Sequence, residues 1–408
     1  MEAFLTALDP RMPDVRLEMG LARAEAARRA ATRAQAEQMA AIAATLREAR
    51  DFPELYLGST MLSPADAVAF AERAAIADLA VRLSLAEATV RAQWHEAETL
   101  RVLTPRVWAA FREGEVPAVN ASVVASLVVG LTEAAVVAFE EAVLAPAATL
   151  APARFRAMAS ALRERLNTEP PAERHRRAAD QRRIVVEPDI DGMAWLHAYL
   201  PADAAQRAMA RITQAALQLA AAADETRTLT QLKADVAADL LAGALGAGNS
   251  VGVTVGVTVG VTVPVLTLLG GNEPGTLEGH GPIDADTARR LAGHAPSFHR
   301  ILTHPITGTV LDIDRTSYRP PADLKRFVEL RDVVCTFPGC GRSARACDLD
   351  HTIAWADGGS TSAANLASLC RHHHRLKHET GWTVTRDDGE TVWRSPTGAV
   401  RNADPPPF

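Results

Sequence analysis

The sequence predicts a mainly α protein with some α+β character, in which a long helical domain precedes a small domain rich in cysteine and histidine. Three observations support this. Alanine and arginine dominate the first half, and only 5% of the 408 residues are aromatic, so helices packed through small side chains are expected. Short β-rich runs interrupt the helical pattern only later in the chain. All four cysteines lie between positions 335 and 370, together with a histidine cluster.

Helical patterns fill most of the first 250 residues. Residues 14–50 interleave apolar and charged side chains at helical spacing, which predicts one long helix suited to scaffolding or dimerisation. A second helical block follows Ser63, and Ser84 and Glu87 form a capping-box pattern at the start of another helix. Further helices are predicted at 104–112, 120–143 and 152–166, and helices resume from 203 to about 245. A helical bundle is favoured over a helix-turn-helix, which propensity alone cannot identify.

Two β-rich segments follow the first helices. Runs within about 183–200 flank a turn containing Asp189, Asp191 and Gly192 and predict a hairpin. Residues 251–263 carry Val at every odd position and Gly or Thr at every even one, which predicts a strand with one apolar and one small polar face. Pairing of that strand with another chain is the alternative to a strand lengthened by repeat expansion.

Charge and hydropathy restrict the classes of protein to consider. The uncharged stretch from Leu240 to Asn272 is long enough to span a bilayer, but its Gly- and Thr-rich centre and Pro264 argue against a transmembrane helix. No membrane association is expected, and the N-terminus lacks the pattern of a signal peptide, so we expect a cytoplasmic protein. The net charge of −6 excludes a uniformly basic protein that coats nucleic acid. Residues 315–378 nevertheless hold ten Lys/Arg against six Asp/Glu, which places a basic module on an acidic body.

The cysteines predict a structural zinc site. Cys335 and Cys340 are separated by four residues that include a Pro-Gly turn, and Cys370 and His373 lie one helical turn apart. In a cytosolic chain, such clustering favours metal over disulfides. Two such pairs supply four ligands for a tetrahedral zinc with no open position, and unpaired buried cysteines are the alternative. Cys347 is left over, either as a core residue or as a replacement for one of the first pair.

The segment "LCRHHHRLKH" at 369–378 contains more histidines than the zinc requires. If it is helical, Cys370 and His373 share one face, while His374 and His378 share another face about a quarter-turn away. Two sites therefore fit on one helix. His372 would project to the opposite side, toward solvent or a phosphate.

The residues upstream complete a recognisable pattern. Asp350 and His351 end a predicted strand, and the "GG" at 358–359 forms a turn. Asn365 begins the returning strand, which precedes the helix. The order His351, Asn365, His374, bracketed by the zinc pairs, resembles the HNH endonuclease family, whose ββα-metal fold residues 331–378 match. The wider arrangement is similar to proteins of high-GC Gram-positive bacteria in which a helical domain of unknown function precedes a C-terminal HNH domain.

The resemblance implies a metal-dependent endonuclease that hydrolyses phosphodiester bonds in DNA. By the family's pattern, His351 is the general base, and Asp350 and His374 bind a divalent cation with His378 as a third ligand. Asn365 is expected to hold the loop and the ring of His351 by hydrogen bonds. Mg²⁺, Mn²⁺, Ni²⁺ or Zn²⁺ could serve as the catalytic ion, beside the structural Zn²⁺.

The residues themselves predict the nucleic-acid contacts, and the changes of pattern along the chain predict the domain boundaries. Arg371, Arg375 and Lys377 are placed to meet neighbouring phosphates. Many HNH domains have two residues between the first cysteines, so the spacing here keeps Cys347 as a candidate ligand. The predicted domains are a helical domain at 1–250, a loop-rich connector at 251–315, the HNH domain at 316–382, and a short hairpin with a Pro-rich tail at 383–408.

Two other function classes remain open from the sequence. One is a zinc-stabilised nucleic-acid-binding module that has lost cleavage. The other makes the acidic helical body a partner-binding scaffold or a homo-oligomer formed through the N-terminal helices. The joint presence of Asp350, His351, Asn365 and His374 favours the nuclease.

Overall fold

The computed structural model describes residues 13–57, 62–222, 224–243, 261–277, 280–293, 320–387 and 390–404. The chain divides into two compact units: one comprises Met1–Thr168 and Ile301–Pro406, the other Glu169–Arg300 with Pro407–Phe408. The first unit therefore joins the N-terminal helices to the C-terminal segment. The predicted boundaries at 250, 315 and 382 stay predictions.

The N-terminal part of the first unit is a helical bundle. Its helices are α1 (Pro13–Asp51), α2 (Pro64–Leu83), α3 (Glu87–Leu103), α4 (Pro105–Arg112), α5 (Ala118–Val128), α6 (Glu133–Thr149) and α7 (Pro152–Leu166). The predicted long helix is confirmed as α1, whose buried Met39, Ile42 and Leu46 lie on the side that packs against α2 and α3. Self-association through these helices stays a prediction.

Two helix predictions are wrong. The helix predicted over 120–143 is divided between α5 and α6, because Gly130 takes a φ of 82° and interrupts it. The capping box is not formed either. Ser84 has a φ of 53° and ends α2, whereas α3 begins at Glu87 with Ala86 as its N-cap and no side-chain cap. The carboxylate of Glu87 therefore does not cap the N-terminus of its own helix.

The C-terminal segment of the first unit forms a ββα arrangement, which confirms the predicted fold. After α13 (Ala322–Asp332), the strand β6 (Asp348–His351) pairs antiparallel with β7 (Leu366–Leu369), with His351 opposite Leu366. The helix α14 (Arg371–Glu379) follows β7 directly, and Cys370 is its N-cap.

A three-stranded antiparallel sheet follows α14. Its strands are β8 (Thr383–Asp387), β9 (Glu390–Arg394) and β10 (Val400–Asn402), in the order β10-β9-β8. The hairpin predicted there is thus extended by a third strand, and residues 405–408 of the predicted tail lie outside the described residues.

One hydrophobic core runs from the helical bundle into the C-terminal segment. Phe337, Trp382 and Trp393 pack edge to face, with ring centroids 5.1 to 6.4 Å apart, in the same buried cluster as the bundle residues. Trp382 also donates a hydrogen bond of 3.3 Å from Nε1 to the carbonyl of Ala74 on α2. Truncating such a buried aromatic residue typically costs about 3–5 kcal/mol. The segment that carries the candidate site is therefore packed on the helices and not merely tethered to them.

The second unit contains helices and small antiparallel sheets. The predicted hairpin is confirmed as β1 (Arg183–Pro188) and β2 (Ala194–Tyr199), with Asp191 and Gly192 both at positive φ in the turn. The remaining elements are α8 (Pro171–Ala179), α9 (Ala202–Leu219), α10 (Leu229–Gly243), β3 (Val261–Thr262), α11 (Val265–Leu268), β4 (Gly275–Leu277), β5 (Gly281–Ile283) and α12 (Ala285–Gly293).

Most of the predicted Val-rich strand, residues 251–260, lies outside the described residues, and only its end appears, as β3. Within the ranges that the structure describes, no helix combines the length and apolar character needed to cross a bilayer.

Candidate metal centres and active site

Three thiols and one imidazole converge where the loop before β6 meets the start of α14. Cys335 and Cys340 flank a turn in which Gly339 takes a φ of 75°, and Cys370 caps the helix that carries His373. Their donor atoms lie within 4.8 Å of one another, and Nδ1 of His373 is 3.4 Å from Sγ of Cys335 and 3.3 Å from Sγ of Cys370. With usual bond lengths, sulfur and nitrogen ligands of tetrahedral zinc are about 3.6 Å apart. Geometry and donor chemistry therefore fit zinc.

The fourth cysteine, Cys347, was considered either as a core residue or as a replacement for one of the first pair. Cys347 is buried, but it is not a member of the four-residue group, and its Sγ lies 3.3 Å from the carbonyl oxygen of Ser343.

Hydrogen bonding with the thiols of Cys335 and Cys370, and then burial, raise the pKa of Cys340. The thiol of Cys340 thus resists ionisation, whereas hydrogen bonds with Cys335 and Cys340 lower the pKa of Cys370. A bound cation would favour the thiolate form of each.

A second group of metal-binding side chains forms between β6 and α14. Asp350 lies on the strand, and His374 and His378 lie one turn apart on the helix and face it. Their Nε2 atoms are 3.2 and 3.0 Å from Oδ1 of Asp350. Adjacent ligands of an octahedral ion such as Mg²⁺ are about 3 Å apart, so the three groups fit a divalent cation. Asp350 is buried while the side chain of His378 is 48% exposed, which leaves one side of the group open to solvent.

Lys377 holds the other oxygen of Asp350. Its Nζ donates to Oδ2 of Asp350 and also lies 2.5 Å from the carbonyl oxygen of His351. Burial opposes ionisation of Asp350, but hydrogen bonds from His374, His378 and Lys377 keep its pKa well below the usual range. Lys377, which was predicted to meet a phosphate, is directed at the carboxylate in this structure; its contact with a phosphate stays a prediction.

His351 lies beside this second group, at the end of β6. The residue is 9% exposed, and Nε2 is 3.0 Å from Oγ1 of Thr361. Burial lowers the pKa of His351, the charge of Lys377 adds to this effect, and Asp350 opposes it. The imidazole is therefore neutral near pH 7, as a general base must be. The predicted hydrogen bond from Asn365 to this ring stays a prediction.

Asn365 clamps the loop between β6 and β7. Its Oδ1 accepts a hydrogen bond of 2.8 Å from the amide of Ile353, and its Nδ2 donates to the carbonyls of Ile353 at 3.0 Å and Ser360 at 2.9 Å. Gly358 takes a φ of 85°, and a Cβ on Gly359 would lie 1.9 Å from the carbonyl oxygen of Ile353. Both glycines are thus required by the tight turn, which the sequence predicted.

The basic surface of α14 extends onto the bundle. Arg371 and Arg375 are exposed, and the guanidinium of Arg375 lies 4.9 Å from the ring centroid of Phe70. Arg73 lies over the same ring at 5.3 Å. Burial, followed by the charges of Arg375 and Arg91, lowers the pKa of Arg73. Neither Arg375 nor Arg73 forms an ion pair within the described part of the chain, so both are available to anions.

One expectation about the histidine cluster is wrong. His372 is directed at the bundle and not away from it, because its Nε2 lies 2.9 Å from Oε2 of Glu87 on α3, although 31% of its side chain stays exposed. The other oxygen of Glu87 lies 2.6 Å from Nε2 of His373. The sequence analysis missed Glu87 and Thr361 as residues of these sites. Thr361 belongs to no motif, and the only pattern at Glu87 was the capping box that is not formed.

Comparisons with known proteins divide the chain in two. Residues 25–332 match the model of a domain of unknown function, DUF222, and residues 334–380 match that of the HNH endonuclease. Two proteins of Mycobacterium tuberculosis, uncharacterized protein Rv3776 and uncharacterized protein MT2160, are each 45% identical over 92 residues, which is 22% of this chain. The matched segment spans only 17% and 16% of those relatives. No solved structure matches the chain.

Proposed function

The chain belongs to the DUF222 family and carries a C-terminal HNH endonuclease domain, and we propose on that basis that it is a metal-dependent endonuclease hydrolysing phosphodiester bonds in DNA. The observation that carries the proposal is the convergence of Asp350, His374 and His378 beside a neutral, buried His351. A base and a cation site side by side are what phosphodiester hydrolysis requires.

His351 is the general base in this proposal. Hydrolysis requires a water molecule that loses a proton as it attacks in line with the leaving oxygen. Burial keeps the imidazole unprotonated, and the contact with Thr361 fixes the plane of the ring. The loop clamped by Asn365 leads from His351 to Thr361, so it holds these two residues at a fixed position relative to each other.

Asp350, His374 and His378 would hold the divalent cation. Such an ion, when bound, supplies positive charge to the scissile phosphate and the leaving oxygen. Lys377 engages Oδ2 of Asp350 and so leaves Oδ1 directed at the two histidines. The mixed carboxylate and imidazole donors suit Mn²⁺, Ni²⁺ and Zn²⁺ as well as Mg²⁺.

The other four donors are proposed to bind zinc in a structural role. Cys335, Cys340, Cys370 and His373 leave no position open for a substrate or a water. Arg371 and Arg375, on the exposed side of the helix that also carries both histidine groups, are proposed to contact DNA phosphates.

The test is nicking of supercoiled plasmid by the full-length protein with Mg²⁺, Mn²⁺ or Ni²⁺, and with EDTA. His351→Ala should abolish nicking while leaving the fold intact. His197→Ala, an exposed histidine on the hairpin, should nick like the wild type. If both wild type and His351→Ala are inert yet bind DNA, the protein is a binding module; a single-stranded RNA substrate, run in parallel, separates DNA from RNA specificity.

A further inference from the structure

One carboxylate of the helical bundle contacts two neighbouring histidines of α14. Glu87 is the first residue of α3, and its two oxygens lie 2.6 Å from Nε2 of His373 and 2.9 Å from Nε2 of His372. The side chain of Glu87 is 15% exposed and that of His373 is 5% exposed. Both oxygens are therefore engaged with the histidines and largely shielded from water.

The contact with His373 determines which ring nitrogen carries the hydrogen. Nδ1 faces the thiols of Cys335 and Cys370 at 3.4 and 3.3 Å, so it is the metal donor and must keep its lone pair. Nε2 then carries the hydrogen and donates it to Glu87. A carboxylate on the outer nitrogen fixes the tautomer and makes the donor nitrogen more basic. Phe337 fixes the plane of the ring, because the two rings stack at 4.0 Å with an interplanar angle of 11°.

Glu87 lies in a largely buried position where one imidazole nitrogen faces each of its two oxygens, at 2.6 and 2.9 Å. Hydrogen bonds to an ionised group are shorter and stronger than those between neutral groups. A buried carboxylate without such partners is costly, so the imidazoles of α14 stabilise the carboxylate of the bundle by hydrogen bonding to it.

We propose that Glu87 is a positioning residue of the zinc site, and that the helical domain thereby completes the metal centre of the nuclease domain. The inference rests on the proposed zinc at Cys335, Cys340, Cys370 and His373. The two family models divide the chain just before these ligands, yet the site takes its outer carboxylate from the DUF222 side. The nuclease domain would therefore bind zinc at full affinity only while packed on the helices.

The experiment measures zinc affinity of the full-length protein by competition with a chromophoric chelator. Glu87→Ala should bind zinc about 10–100-fold more weakly, the usual effect of losing an outer partner of a metal ligand. Glu87→Gln keeps an acceptor oxygen but loses the charge, so its affinity for zinc should lie between those of the wild type and Glu87→Ala. Glu98→Gln is the matched control, because Glu98 lies on the same helix and, among the residues that the structure describes, pairs with the surface residues Arg47 and Arg101 alone.

Two further measurements separate positioning of the ligand from general packing. In protein loaded with Co²⁺, the sulfur-to-cobalt absorption should persist in Glu87→Ala, because the thiolates still bind, while the ligand-field bands shift as the imidazole turns. The melting temperature of Glu87→Ala should fall more with zinc bound than without metal.

The results that would contradict the role of Glu87 differ from those that would contradict the zinc site. Equal zinc affinity in Glu87→Ala and wild type, or an equal loss of melting temperature with and without zinc, overturns the role of Glu87 while leaving the zinc site standing. A wild-type protein that binds no zinc overturns the zinc assignment and the inference together. Neither result bears on cleavage, which depends on Asp350 and His351 in the proposed function.

Discussion

Replacing Cys370 by alanine should remove the metal-dependent part of the stability of the C-terminal segment. Its Sγ lies 3.3 Å from Nδ1 of His373 and its backbone amide donates to Sγ of Cys335, so it links two other proposed ligands. Without it, three donors remain, and the tetrahedral site that zinc prefers is open at one position. We expect the variant to bind zinc too weakly to be stabilised by it.

The magnitude follows from linkage between metal binding and folding. A ligand present at 100 to 1,000 times its dissociation constant stabilises the folded state by about 2.7–4.1 kcal/mol. At such zinc concentrations, the free energy of unfolding should therefore fall by about that amount in Cys370→Ala. Removing one sulfur from a buried position also weakens packing, and Cys347→Ala reports this smaller effect, because Cys347 is also buried but lies outside the four-residue group.

Urea unfolding followed by tryptophan fluorescence measures the difference, since Trp382 and Trp393 both pack against Phe337 beside the site. Wild type and Cys347→Ala should each lose stability when EDTA is added, whereas Cys370→Ala should unfold at the same urea concentration with and without EDTA. A Cys370→Ala variant that unfolds like the wild type and responds equally to EDTA would refute the zinc assignment.

Three further predictions concern the candidate active site. Thr361→Val removes the hydroxyl next to His351 at nearly constant volume; a hydrogen bond worth about 0.5–1.5 kcal/mol corresponds to nicking about two- to thirteenfold slower, and an unchanged rate would argue against a role for Thr361. Asn365→Ala should lower the free energy of unfolding by about 1–3 kcal/mol in urea titrations, because it leaves backbone groups of Ile353 unpaired; a stability equal to wild type would contradict the clamp. Arg375→Gln should weaken DNA binding and reduce the slope of log affinity against log salt by about 1, whereas an unchanged slope would mean that this residue meets no phosphate.

The fold and the grouping of the side chains that are proposed to bind metal could largely be predicted because their signals are local. The long helix α1 follows from periodicity within one segment, and the ββα arrangement follows from the strand, turn and helix signals of residues 348–379. Cys370 and His373 were identified by helical spacing, which fixes the direction of each side chain from its position alone. The pairing of His374 and His378 with Asp350 follows once the strand and the helix are placed side by side.

The local sequence patterns did not predict which other residues contact these side chains. Lys377 was predicted to meet a phosphate because it is basic and lies on the helix, but the sequence did not indicate its additional contact with the buried carboxylate of Asp350 on β6. Thr361 reaches His351 only because the glycine turn at 358–359 folds the loop back on itself. In both cases a tertiary contact decides the direction of the side chain.

Glu87 shows why a local pattern can fail at a functional position. Ser84 and Glu87 carry the residue types of a capping box, which contributes about 1 kcal/mol to a helix. In the folded chain, the carboxylate instead meets two imidazoles 285 and 286 residues away, and hydrogen bonds to a charged group contribute about 1.5–3 kcal/mol each. The long-range contacts are the stronger ones, so Ser84 is released to end the preceding helix in the left-handed region. A broken local rule at a partly buried charged residue therefore indicates a distant partner, and here that partner is a proposed zinc ligand.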